Sequence, residues 1–168
     1  MHIRNIDVII KELRKKININ KEVEYGYFLG LEYIKGEFII KSKIDLLGER
    51  PHNDEIEKIV LSKNIISKFI MWCKQRDYIP MVIHTHPFYL PNEQISFSHV
   101  DYRFNNSFIN FGHKCGLYEF VFMVTNCISY QIIYYNNTYE EEIMGFIENV
   151  NRKWFYSREK RWCIFHSL

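Results

Sequence analysis

Two histidines one residue apart, His84 and His86, close the apolar run "YIPMVIHTHP", and Ser98 and Asp101 follow in "SFSHVD". On an extended strand side chains alternate between faces, so both imidazoles project the same way. Held side by side they repel once protonated, whereas a single divalent cation satisfies both. Zinc suits such a pair because it takes histidine nitrogen together with carboxylate oxygen. Asp101 offers the carboxylate. On a helix starting near Ser98 it shares a face with Phe104, Phe108 and Phe111. An ionised group on an apolar face is costly without a partner, and a metal would be that partner. Three protein ligands leave a fourth position open to water, which is the pattern of catalytic rather than structural zinc.

Blander readings compete for the same residues. A lone His-x-His also occurs in cores and on surfaces. Ser98 followed three positions later by Asp101 is an ordinary helix start, the serine capping and the acid favoured by the helix dipole. The metal reading gains from conjunction: His-x-His-Pro at a buried strand end, and Ser-x-x-Asp at the next helix start.

The elements that must position these residues are legible as hydrophobic periods. Residues 5–16 read as an amphipathic helix with Ile6, Ile9, Ile10 and Leu13 on one side. Residues 23–34 and 36–47 read as strands joined by a hairpin turn at Lys35-Gly36. The segment 48–55 is polar and loop-like. A helix over 62–77 leads into a strand over 78–84, whose unbroken apolar run suits burial on both faces. A helix over 98–112 has Gly112 as its C′ residue. Two strands, "YEFVFMVT" and "SYQIIYY", join through Asn126-Cys127, and a last helix covers "EEEIMGFIENVNRKWF" before a basic, aromatic tail. The order αββαβαββα predicts one domain over residues 1–168, an α/β fold with helices packed on a mixed sheet.

Composition bounds the rest. With 168 residues, 47% hydrophobic and 25% charged, the chain has the makings of one soluble core. A net charge of +2 gives no general pull toward nucleic acid or anionic membrane. No apolar run is long enough for a membrane span, and the start lacks the apolar core of a signal peptide, so a cytoplasmic protein is expected. Cys73, Cys115, Cys127 and Cys163 form no Cys-x-x-Cys pair, which predicts reduced thiols. His99 projects to a different helix face from Asp101. His113 and Cys115 in "GHKCG" read as a turn more readily than as a second metal site. The tail "NRKWFYSREKRW" reads as an amphipathic edge with Trp154 and Phe155 packed inward.

The pattern "HTHP…SFSHVD" resembles the JAMM motif of the JAB/MPN metallopeptidases, His-Ser/Thr-His-Pro, a gap, then Ser-x-x-Asp. Members also need a glutamate just before a glycine-containing apolar strand, and "EYGYFLG" stands at that place. The resemblance spans roughly residues 20–135. It implies a cytidine-deaminase-like α/β/α sandwich, the JAB/MPN fold, around a mixed central sheet. It implies Zn2+ held by His84, His86 and Asp101, Glu24 as general acid/base on the attacking water, and Ser98 steadying the oxyanion. Glu22 and Glu24 lie on one strand face; the offset of Glu24 to Gly26 and Leu29 favours it, with Glu22 the alternative. The gap 88–97 exceeds the common spacing, so a small insertion covers the site, and Phe88 and Tyr89 would line a substrate's approach. The implied activity is that of an isopeptidase cutting after the C-terminal tail of a ubiquitin-like or conjugated protein, as in small stand-alone bacterial members. Some of those accompany ubiquitin-transfer-like enzymes in antiphage systems and reverse their conjugation. A peptidase maturing a sulfur-carrier protein is the rival within the family. A non-catalytic MPN scaffold is the rival outside catalysis, although scaffolds typically lack motif residues that are all present here. A zinc deaminase would need an HxE…PCxxC signature that is missing.

Overall fold

In the computed structural model, residues 2–20, 23–46, 63–86, 94–138, 140–146 and 157–160 are described. Lys35 and Gly36 both take positive φ, 51° and 87°, as a two-residue type I′ hairpin demands. They join β2 (Gly26–Ile34) to β3 (Glu37–Leu46). Around this hairpin lie β1 (Ile3–Arg4), α1 (Ile6–Ile19), α2 (Lys63–Arg76) and β4 (Ile79–Thr85). Then follow α3 (His99–Lys114), β5 (Glu119–Thr125), β6 (Ser129–Asn136), β7 (Glu140–Phe146) and β8 (Ser157–Lys160). The strands form one eight-stranded sheet in the order β1-β3-β2-β4-β5-β6-β7-β8. Only the pairs β1–β3 and β4–β5 are parallel, so the sheet is mixed.

The sheet is covered on both faces, which the unbroken apolar runs of its central strands require. Ile6, Ile9, Ile10 and Leu13 of α1 pack with Tyr27, Leu29, Met81, Ile83, Val121 and Met123 on one face. Phe69, Ile70 and Cys73 of α2 and Phe108 and Ile109 of α3 pack with Phe28, Val82, Phe120, Phe122 and Val124 on the other. Successive residues of β4 thus enter opposite cores, as the unbroken apolar run predicted. The α/β class and the mixed sheet expected from the sequence are both present.

Three expectations need correction. The helix after Ser98 does not end at Gly112. It runs to Lys114, Cys115 is the C-cap, and Gly116 with φ 80° is the left-handed C′ residue. The Leu117 N–H donates to Gly112 O at 2.9 Å and the Gly116 N–H to His113 O at 2.9 Å, the paired bonds of a Schellman ending. Gly112 is needed for another reason: a Cβ there would lie 2.3 Å from Phe120 Cζ. Next, the segment expected as a last helix is a strand over 140–146, paired antiparallel with β6. Its acidic start favours a helix locally, but the exposed edge of β6 offers a ladder of backbone partners, and pairing prevails. The tail then contributes β8, which pairs with β7. Finally, the chain opens with a short strand, and α1 reaches Ile19 rather than residue 16. The segment 48–55, Phe88, Tyr89, Trp154, Phe155 and Cys163 lie outside the described residues.

A candidate metal centre at the end of β4

β4 carries His84, and His86 follows its last residue, at the carboxyl end of the parallel pair β4–β5, the edge where α/β sheets place ligands. His84 sits between Gly26 of β2 and Val124 of β5. The His86 N–H extends the ladder by donating to Thr125 O at 3.1 Å. Both follow Val82 in phase, so they face the α2–α3 side, and the His84 ring lies 6.1 Å from that of Phe97.

The helix-cap and metal readings of Ser98 and Asp101 turn out to be compatible. The Asp101 N–H donates to Ser98 Oγ at 3.2 Å, and the Ser98 N–H donates to Asp101 Oδ2 at 2.6 Å, a reciprocal capping box. That box fixes the carboxylate at the first turn of α3, where it meets the histidines. His84 Nε2 stands 3.1 Å from Asp101 Oδ1, and His86 Nε2 stands 3.3 Å from Asp101 Oδ2. The two Nε2 atoms are 3.1 Å apart. Burial alone would push the Asp101 carboxyl up. Hydrogen bonds from His84 and His86, the charge of His84 and a hydrogen bond with the Ser98 side chain outweigh it and hold the carboxyl well below the usual carboxylate range.

These three residues form a group able to hold a metal ion. The 3.1 Å between the imidazole nitrogens is of the order a shared ion needs, and each nitrogen's carboxylate contact is to a different oxygen of Asp101. Ligands bonded to a tetrahedral ion at about 2.0–2.1 Å lie about 3.3 Å from one another, the edge of the tetrahedron. One carboxylate and two imidazole nitrogens are donors that suit a divalent metal ion.

Glu24 is brought to the same place but not into the group. Its Oε1 stands 3.8 Å from His86 Nε2, beyond hydrogen-bond reach, with the side chain largely covered. Glu22 lies outside the described residues. The residue next to Glu24 is tied to β4 through the threonine of the His-Thr-His run. Thr85, between the histidines, donates its N–H to Tyr25 O at 2.8 Å and accepts the Tyr25 N–H on Oγ1 at 2.9 Å. The chain next to Glu24 is thereby tied to the strand carrying both imidazoles. A hydroxyl residue between two inward histidines was the available signal.

Other candidates fall away from the cluster. Arg103 Nε donates to His99 Nε2 at 3.1 Å on the exposed face of α3. His113 lies about 18 Å from Asp101 along the helix, at 1.5 Å per residue. It packs among the rings of Tyr118, Phe120 and Tyr135, where burial lowers its pKa. Cys115 caps α3. Burial pushes the Cys73 and Cys127 thiols up to about 12, the reverse of what a nucleophilic cysteine needs. Among the described residues, no helix is long and apolar enough to cross a membrane. No family model matches the chain, and no curated protein matches it.

Proposed function

We propose that the chain is a zinc-dependent peptidase of the JAMM type, a JAB/MPN domain that hydrolyses an amide or isopeptide bond. The observation that carries the reading is the convergence of His84, His86 and Asp101 at mutual distances of 3.1–3.3 Å beside a carboxylate that stays out of the group. His84, His86 and Asp101 would hold the ion, which when bound supplies Lewis acidity and brings the pKa of water to about 7. Glu24, near the cluster without belonging to it, would take a proton from the attacking water and return it to the leaving amine. Ser98, whose Oγ accepts the Asp101 N–H, would steady charge developing on the carbonyl oxygen with its hydroxyl.

The substrate best suited to this chemistry is the extended C-terminal tail of a ubiquitin-like or conjugated protein joined to an amine. The test fuses a genomically linked protein of that kind to a reporter and identifies the products by mass spectrometry. Cleavage immediately after the tail, abolished by a chelator and restored by zinc, is the expected result. Full zinc occupancy without cleavage of any linked conjugate would favour the scaffold reading.

A further inference from the structure

The segment 94–98 leads into α3 and lies along β6, yet it bonds to β6 mainly through side chains. The Ile95 N–H donates to Ser129 Oγ at 3.0 Å, and the Phe97 N–H donates to Gln131 Oε1 at 2.6 Å. Gln94 Nε2 donates to Tyr130 O at 3.0 Å. Residues 95 and 97 alternate in step with 129 and 131, so a two-residue period on each side brings donor to acceptor. Ile95 and Phe97 meanwhile bury their side chains in the α2–α3 core.

Gln131 is the polar centre of this seam and is only 2% exposed. Its Nε2 donates to Glu142 Oε1 of β7 at 2.6 Å and reaches the Tyr102 hydroxyl at 3.4 Å. Glu142 pairs with Ile133, two residues from Gln131, so the two side chains are diagonal neighbours on one face. A carboxylate only accepts, so Glu142 dictates that the amide turns its NH2 toward β7 and its oxygen toward Phe97. Phe97 immediately precedes Ser98, whose capping box holds Asp101, and the rings of Phe97 and Tyr102 lie 5.8 Å apart.

We infer that Gln131, oriented by Glu142, is a positioning residue for the metal centre: it fixes the backbone at Phe97 so that the Ser98–Asp101 box presents its carboxylate to His84 and His86. The inference rests on the metal-site reading and adds to it a role for β7, a strand remote from the three ligands in sequence. Partners that orient ligands in this way change metal affinity by about 10–100-fold when removed.

The test titrates metal-free protein with cobalt(II) and zinc and records the cobalt ligand-field spectrum. Gln131→Glu alone sets two carboxylates against each other and should weaken metal binding by about 10–100-fold with an altered spectrum. The double exchange Gln131→Glu with Glu142→Gln restores an acceptor facing Phe97 and a donor facing it across the strands. It should return both affinity and spectrum toward wild type. Gln131→Leu, if folded by circular dichroism, should match the weak single variant. Wild-type affinity and spectrum in Gln131→Glu would overturn the inference, as would a double exchange no better than the single one. A merely structural role would lower the melting temperature and leave the cobalt spectrum unmoved. Wild-type protein that binds neither metal would instead defeat the metal-site reading itself, and this inference with it.

Discussion

Asp101 takes part in two local structures at once, and this explains why a charged group is stable where it lies. Its Oδ2 accepts the Ser98 N–H at the positive end of α3, while both oxygens face imidazole nitrogens. Glu24 differs in having no place in the group. Replacing Glu24 with alanine should therefore lower turnover by about 10²–10⁴-fold and leave zinc content unchanged. Loss of zinc together with activity would make Glu24 a ligand. The buried thiols give a pH prediction. Cys73 and Cys127 ionise near 12 in the folded chain, above the value of about 8.5 for an unfolded thiol. Between those values the unfolded chain has released protons that the folded chain keeps, so stability falls as pH rises. Urea unfolding should show less alkaline loss in Cys73→Ala than in wild type, by about 1–2 kcal/mol at pH 10. Equal losses would show that the thiol ionises freely in the fold. At this scale the grouping of His84, His86 and Asp101 was legible from residue type and spacing. What Thr85 and Gln131 bond to was not legible, because their partners, Tyr25, Phe97 and Glu142, become neighbours only when the sheet forms.

Secondary-structure elements were readable where hydrophobic period and turn chemistry agree. The Lys35-Gly36 hairpin, the apolar face of α1 and the doubly buried β4 are cases of that agreement. Helix α3 was misjudged at its end because two glycines, Gly112 and Gly116, compete for the capping position. The structure separates their roles by backbone angle and by neighbour. Gly112→Ala would drive a Cβ to 2.3 Å from Phe120 Cζ, and the fully buried Phe120 ring has no room to move away. A cost of about 1–3 kcal/mol or more is expected from such overpacking. Gly116→Ala meets only the end of the Lys74 side chain and bears the left-handed backbone cost of about 1–2 kcal/mol. Urea midpoints should place Gly112→Ala lower than Gly116→Ala. The reverse order would mean that Phe120 yields more easily than its burial implies.

Across the whole molecule, the sheet is the device that gathers a dispersed site. Glu24 lies just before β2, the histidines end β4, Asp101 opens α3, and the strap 94–98 is held by β6 and β7. Strand β7 escaped the sequence reading because three successive glutamates favour a helix locally. What makes it a strand is the neighbouring edge of β6, a long-range partner with no trace in the segment itself. The proposed function stands on one claim, that the end of β4 and the start of α3 together hold a single ion. Elemental analysis of purified chain after zinc loading and desalting tests it directly, with the His84→Ala, His86→Ala double variant alongside. The account predicts about one zinc per chain in wild type and none in the variant. Full zinc occupancy in the variant, or a folded wild-type chain that takes up no zinc, would contradict it.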